Sequence, residues 1–517
     1  MMLPLDLLMF AALIVAILIG YPVSFILAGI ATLFAILGHF TGQFDMSLLG
    51  ALGQRVFGVM TNDVLIAIPL FVFMGVVLEK SRIAEDLLET AGRLFGTLRG
   101  GLGISVVLVG ALLAASTGIV GATVVAMGLI ALPTMLRNGY DARLASGIVC
   151  TSGTLGQIIP PSTLLIILSD VMSNAYQQAQ FRQGKFTIET ISVGQIFAAA
   201  LLPGLMLVAI YIGYLLVKAW LSPASAPAMQ HEGARPSARE ISGAIVPPVL
   251  LIIAVLGSIL GGIATPGEAA AVGAIGALLM ASARFGNGQR KLVIAGAASL
   301  ALLAVLISVH PVRLQRSDVG PLDWAAGALA TVFVLVAAAA ILQALARTFR
   351  ADVLKPVMNS TLSVTAMIFA TILTASIFSL VFRGLGGDHR IEEFLTNMPG
   401  GPDAALLFVM AMVFLLGFFL DFVEISVILL PLVAPVLILM GHDPVWLSIL
   451  IAINLQTSFL TPPFGFSLFY LRGAAPPEVT TGQIYQGVIP FIALQIAGVG
   501  LIWLLPQIAT TLPRLIF

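Results

Sequence analysis

Two short stretches hold the residues best suited to chemistry, and neither has the composition of an ordinary apolar helix. The first reads Thr151-Ser152-Gly153-Thr154-Leu155-Gly156-Gln157-Ile158-Ile159-Pro160-Pro161-Ser162, with Thr163 following. Proline removes a backbone donor and clashes with the preceding turn, while glycine tolerates unwinding, so carbonyls here lose their helical partners and become free oxygen ligands. Unpaired carbonyls with the hydroxyls of Ser152 and Thr154, beside Gly153 and Gly156, suit a dehydrated sodium ion. A half-helix opening beyond Pro160, Pro161 and Ser162 can hold a substrate carboxylate. The alternative is a structural proline kink satisfied by neighbouring helices.

The second stretch matches the first in kind: Asn454-Leu455-Gln456-Thr457-Ser458-Phe459-Leu460-Thr461-Pro462-Pro463-Phe464-Gly465-Phe466-Ser467. Asn454, Gln456, Thr457, Ser458 and Thr461 would each cost free energy in lipid, so their concentration at one depth points to an internal polar site. Pro462, Pro463 and Gly465 supply the break and the second half-helix. Here too a kink with interhelical hydrogen bonds is the competing reading.

Each stretch follows a long apolar segment interrupted in its middle. The first, Gly103 to Leu136, turns at a run of small residues that includes Ser116, Thr117 and Gly118, which lets its tip approach another backbone and complete an ion site. A merely packed tip is the alternative. The second, Ala404 to Met440, carries Asp421 and Glu424, three residues apart and so on one helix face. Intramembrane acids bind cations or carry protons, which makes Glu424 a candidate coupling acid. The same pair can instead stabilise a helix start through its dipole, or lie in water at the mouth of the turn.

The elements that must position these residues are membrane helices. Of 517 residues, 59% are hydrophobic and 9% charged, against roughly 25% charged in a soluble domain, and the mean hydropathy is +1.09. A spanning helix needs about 20 apolar residues, and such runs recur from Leu5 almost to the C-terminus. The chain therefore reads as an all-α polytopic membrane protein. The 24 Lys plus Arg balance the 24 Asp plus Glu, so no net field points to nucleic acid. Cys150, alone of its kind, lies in an apolar stretch as a small hydrophobe. Thr265, Pro266 and Glu268 read as a helix opening. The five histidines do not cluster as metal ligands, and no phosphate-binding loop, C-x-x-C pair or HExxH motif occurs. No protein cofactor is implied.

The two interrupted segments are too long for one helix and read as re-entrant hairpins, whose irregular backbone must sit inside protein or line a cavity. The layout has a first scaffold helix within 1-55, read as one anchor from Leu5 to Phe40 without the features of a signal peptide. A first repeat spans 56-217, with a hairpin at about 103-136 and a broken helix at about 144-168. A Ser-, Pro- and Ala-rich linker follows at 218-240, then scaffold helices over 241-357, and a second repeat over 358-510 with its hairpin at about 404-440 and broken helix at about 445-471. With a cytoplasmic N-terminus and a periplasmic C-terminus, the outside loops hold Arg55, Arg182, Lys185, Arg313, Arg316, Arg383, Arg390 and Arg514, and the other two thirds of the Lys and Arg lie inside. The two repeats then have opposite orientation. Inverted repeats with paired broken helices point to a secondary transporter with its site near the midplane.

The motifs in order resemble one family. Ile68-Pro69-Leu70-Phe71 with Met74-Gly75, Gly96 with Gly100-Gly101-Leu102, Gly153-Thr154-Leu155-Gly156, Ile159-Pro160-Pro161-Ser162, Thr265-Pro266 with Glu268-Ala269-Ala270, Asp421, and Asn454 with Thr461-Pro462-Pro463-Phe464-Gly465 are similar to the DctM-type large membrane subunit of tripartite ATP-independent periplasmic (TRAP) transporters. The resemblance implies a bacterial inner-membrane protein that is not an enzyme. It implies sodium-driven uptake of an organic acid by an elevator, in which a transport domain with both hairpins and both broken helices slides against a scaffold among membrane lipids. Two partners are implied, a small four-helix membrane subunit and a periplasmic substrate-binding protein. The sodium sites carried over by position are the first hairpin tip with Ser152 to Gly156, and the second hairpin, with Asp421, together with Asn454 to Thr461. Two departures stand out: an extra helix pair at about 292-346, and Glu424 where the family resemblance implies a small or apolar residue.

Overall fold

The computed structural model describes residues 4-117, 120-185, 187-229, 236-285, 291-310 and 319-517, and among these it is built from helices and turns without a strand. The helices are α1 (Leu5–Leu18), α2 (Val23–Phe40), α3 (Leu52–Met60), α4 (Ala67–Lys80), α5 (Ile83–Phe95), α6 (Gly101–Thr117), α7 (Val120–Arg137), α8 (Ala142–Thr154) and α9 (Thr163–Arg182). There follow α10 (Val193–Leu221), α11 (Ala238–Leu260), α12 (Pro266–Phe285), α13 (Lys291–Val309), α14 (Pro321–Arg350) and α15 (Leu354–Gly384). The last part holds α16 (Gly387–Thr396), α17 (Gly401–Leu416), α18 (Phe422–Ile428), α19 (Leu430–Leu439), α20 (Pro444–Leu460), α21 (Phe466–Ala474), α22 (Thr481–Leu504) and α23 (Gln507–Ile516). Among the described residues, 9 helices are long and apolar enough to cross a bilayer: α2, α7, α10 to α15 and α22.

Local chemistry sets the helix starts. Asp141 caps α8 by accepting from the N–H groups of Arg143 and Leu144, and Asp443 caps α20 in the same way through Val445 and Trp446. Reciprocal capping boxes open α10 (Ser192 with Gln195) and α22 (Thr480 with Gln483). Thr265 and Glu268 exchange bonds at the start of α12, the structural role expected of them. One continuous apolar core runs through the helices around both proline breaks, while α13 and α14 pack on α12 around a separate small cluster of Leu278, Leu279, Val293, Ala340 and Ala344.

Contacts between loops sort the molecule into two ends. At one end the linker is tied down: Gly100 N–H donates to the Ala226 carbonyl at 2.9 Å and Asp141 N–H to the Ser225 carbonyl at 3.1 Å. The pair α6 and α7 therefore leaves and returns to the same place. Arg284 pairs with Asp86 at this end too. At the other end Arg182 pairs with Glu392 at 2.5 Å and Arg514 with Asp443 at 3.9 Å. The His442 ring meets the Pro402 carbonyl at 3.2 Å, so the run from α17 to α19 also closes on itself.

The first anchor differs from expectation. Leu5 to Phe40 is two helices, broken at Gly20, which has a φ of +89°, with Tyr21 and Pro22 after it. Asp6 pairs with Arg390 at 2.6 Å, and Gly38 approaches Leu385 beyond the far end of α2. The start of α1 and the end of α2 thus lie at one end of the molecule, the end that holds Arg390. A single crossing would have separated them. The start of the first repeat is likewise divided, because the Asn62 side chain accepts from Val64 N–H and turns the chain between α3 and α4.

Candidate functional site

The first polar stretch ends α8, makes one 3-10 turn at Leu155–Gln157, passes a cis Pro160-Pro161 bond and resumes as α9. Ser152, Gly153, Thr154, Gly156, Pro160, Pro161 and Ser162 are all buried. Their hydroxyls donate to nearby carbonyls: Ser152 to Ile148 at 2.6 Å, Thr154 to Thr151 at 2.8 Å and Ser162 to Gln157 at 2.9 Å. A hydroxyl that donates in this way keeps its lone pairs for a cation. The helix pair α6 and α7 closes on this stretch, for a Cβ on Gly110 would meet Ser152 and one on Gly153 would meet Val124. Gly118, at the expected tip, lies outside the described residues, and Ser116 and Thr117 are described as helix backbone only.

The second stretch is α20, an extended Thr461, a cis Pro462-Pro463 bond and α21. Asn454 donates to the Met410 carbonyl of α17 at 2.7 Å. Thr457 donates to Ile453 at 2.8 Å, Ser458 to Leu455 at 2.7 Å and Thr461 to Thr457 at 2.8 Å. Gly417, which ends α17, lies against Ser458 so closely that a Cβ there would strike the hydroxyl. Phe419 packs against Phe464 with tilted rings, centroids 5.3 Å apart, over a break that is more open than the first: Pro463 and Phe464 are exposed and Gly465 is buried.

One bond brings the two stretches together. Gln456 Nε2 donates to Thr154 Oγ1 at 3.4 Å, across 302 residues, and both side chains are fully buried. Cys150 and Ser467 make a second, weaker link, thiol to carbonyl at 3.7 Å. Neither α9 nor α21, the half-helices beyond the breaks, has a side-chain cap, whereas α8 and α20 do. An uncapped helix start offers N–H groups to an anion.

The two acids open a helix. Asp421 accepts from Phe422 N–H at 2.7 Å and Glu424 accepts from Asp421 N–H at 2.9 Å, a capping box that opens α18. Among the described residues no hydrogen bond joins either acid to Asn454, Thr457 or Ser458. Of the alternatives open for this pair, the helix-start role is the one with visible bonds.

Several polar atoms near the breaks are buried without a partner: Thr151 Oγ1, both amide atoms of Gln157, Gln456 Oε1 and Ser426 Oγ. Orphaned buried groups of this kind cost about 1–3 kcal/mol each and mark places where a ligand or water fits. Gln157 and Ser426 are absent from the set proposed by sequence. The available signal for Gln157 was a glutamine three residues before a Pro-Pro pair in an apolar run. Among the described residues no group of three or more His, Cys, Asp or Glu side chains is placed to hold a metal ion.

The fold and the sequence both have relatives. The folds of the YdaH transporter of Alcanivorax borkumensis (TM-score 0.56, 13% identity, 99% of this chain and 98% of that chain) and of MtrF of Neisseria gonorrhoeae (TM-score 0.51, 15% identity, 89% and 84%) resemble this one. In sequence the chain is similar to the C4-dicarboxylate TRAP transporter large permease protein DctM of Vibrio cholerae, 27% identical over 98% of this chain and 97% of the relative. It is similar to the ectoine TRAP transporter large permease protein TeaC of Halomonas elongata, 25% identical over 98% and 99%. It also resembles the sialic acid TRAP transporter large permease protein SiaM of Vibrio cholerae, 23% identical over 96% and 95%. The family described as tripartite ATP-independent periplasmic transporter, DctM component, matches residues 10–343 and 319–508. The chain therefore belongs to the DctM family, as a multi-pass inner-membrane permease subunit of the TRAP transporters and not an enzyme.

Proposed function

We propose that this subunit carries out sodium-driven uptake of an organic acid, working with a small membrane subunit and a periplasmic substrate-binding protein. The observation that carries this reading is the joining of two broken, hydroxyl-rich helices at Gln456 and Thr154. Sodium is held by hydroxyls and carbonyls of Ser152 to Gly156 with the first helix pair, and by Asn454 to Thr461 with the second. The substrate carboxylate is met by the uncapped starts of α9 and α21, at Pro160 to Ser162 and at Pro462 to Gly465.

Both helix pairs are re-entrant hairpins in this reading, and the two repeats are inverted. The return of α6 and α7 to the linker end, and of α17 to α19 to the end of Arg182, supports that reading. The linker end is cytoplasmic, because it collects most of the Lys and Arg, and the start of α1 is periplasmic with Arg390. Transport follows an elevator, the hairpins and broken helices α6 to α9 and α17 to α21 sliding as one body against the rest. Relatives named for C4-dicarboxylates, ectoine and sialic acid are similar at 23 to 27% identity, so the acid is selected chiefly by the binding protein.

The test is uptake into proteoliposomes holding this chain and its small subunit, with the binding protein outside and radiolabelled succinate as the first probe, followed by other acids that the binding protein captures. An inward sodium gradient is compared with an inward proton gradient. Uptake that needs both sodium and the binding protein is expected. Uptake indifferent to sodium, or full activity without the binding protein, would overturn the proposal.

A further inference from the structure

We infer that Gln456 is a positioning residue that couples the two halves of the site, so that a cation bound in one half raises the affinity of the other. This rests on the reading of the two stretches as sodium sites. The Thr154 hydroxyl has one proton and two lone pairs. Its proton goes to the Thr151 carbonyl at 2.8 Å, and one lone pair takes the Gln456 amide N–H at 3.4 Å. One lone pair is left for a cation in the first half. On the other side, Gln456 Oε1 is buried with no partner, between Asn454 and Thr457 in sequence and so on the helix that forms the second half.

Each partner thus keeps one acceptor that the bond between them does not use. A cation seated on Thr154 fixes the hydroxyl, the hydroxyl fixes the amide plane, and the amide plane sets where Oε1 points. The ordering of Gln456 is then already complete when the second cation arrives, which is the condition for positive coupling without a large movement. Couplings of this kind are typically about 5- to 150-fold in affinity. The Cys150–Ser467 link cannot substitute, since a thiol donating to a backbone carbonyl offers no second acceptor that reorients with it.

The experiment needs no substrate, because the probe is sodium itself. Equilibrium binding of radioactive sodium to the full chain with its small subunit is measured with choline chloride holding ionic strength constant. The parent is expected to fill its sites with a Hill slope above unity. Gln456→Leu and Gln456→Met, which leave the Thr154 hydroxyl in place, are expected to bring the slope to unity while the number of sodium ions bound at saturation stays parental, and Thr154→Ser retains the parental slope. A parental slope of unity, an unchanged slope in both Gln456 variants, or a slope of unity that comes with the loss of a bound sodium ion overturns the coupling. Absence of any saturable sodium binding in the parent is a separate result, and it overturns the sodium reading itself before the variants are compared. Gln456→Met keeps the test decisive where Gln456→Leu fails to fold.

Discussion

Gln456 donates to Thr154 at 3.4 Å, and the two stand 302 residues apart, the same offset as Pro160 and Pro462. Each is therefore bonded to the position it would itself occupy in the other stretch. The same offset relates Asp141 to Asp443 and Gly139 to Gly441, the caps and the left-handed glycines that start the two broken helices. The contact between counterparts makes a common centre for the polar residues of both helices.

Around that centre the halves are not equivalent, and Asn454 shows the difference. It stands where the first stretch has Ser152, and its amide reaches out to the Met410 carbonyl of α17, whereas Ser152 bonds within its own helix. Asn454→Ala removes the bond that ties α20 to α17, while the Met410 carbonyl keeps its partner within its own helix, at a cost of about 0.5–1.5 kcal/mol. The expected outcome is a lower melting temperature in detergent, together with a smaller rise on adding sodium chloride in place of choline chloride. An unchanged sodium effect would remove Asn454 from the site and leave it a purely structural link.

The capping box of α18 separates two roles of Glu424. Glutamine serves in this position of a capping box as well as glutamate, so Glu424→Gln should unfold at nearly the parental temperature. Glu424→Ala frees the Asp421 N–H and should cost about 1 kcal/mol. If Glu424 also carries a proton in the cycle, Glu424→Gln transport loses its pH dependence while its stability stays parental. Equal pH profiles for parent and Glu424→Gln would leave the acid with its structural role alone.

These pairings explain what was legible in the sequence. Pro160-Pro161 and Pro462-Pro463 announce the breaks because proline at those places removes a donor whatever surrounds it. Asp141, Asp443 and the Ser192 and Thr480 boxes are local signals too, read within four residues. The break at Gly20-Tyr21-Pro22 was hidden by its apolar flanks, since a hydropathy window sees no polarity there. The link from Gln456 to Thr154 was out of reach for another reason. Side-chain pairing across 302 residues depends on how the helices pack, and nothing local to either residue encodes its partner. Burial of Gln157 without a partner is likewise a property of packing.

The tightest such packing joins α8 to α22. A Cβ on Gly147 would strike the carbonyl oxygen of Gly487, and one on Gly487 would strike the carbonyl oxygen of Arg143. Backbone meets backbone here, so no side chain can rotate away. Gly487→Ala and Gly147→Ala should each destabilise by about 1–3 kcal/mol, the usual cost of overpacking. Gly213→Ala, where a Cβ meets nothing within 4 Å, is the control and should melt at or slightly above the parent, because alanine favours a helix interior. Equal melting of all three would show that the two helices stand farther apart than described.

The ion pair of Asp6 with Arg390 makes a prediction about sidedness. Asp6 is 1% exposed and would be an uncompensated buried charge without its partner. Cys150 is fully buried, so cysteines introduced elsewhere can be read by a membrane-impermeant maleimide with the native residue left in place. Pro4→Cys and Asn397→Cys should label from the same face of the membrane. Thr97→Cys, in the loop held by the linker through Gly96 and Met229, should label from the opposite face. Labelling of Pro4→Cys together with Thr97→Cys would restore a single crossing from Leu5 to Phe40 and break the pairing of Asp6 with Arg390. Under the expected outcome the loops of Lys and Arg keep their sides, because no Lys or Arg lies before α2, and the extra turn at Gly20 moves only the beginning of the chain.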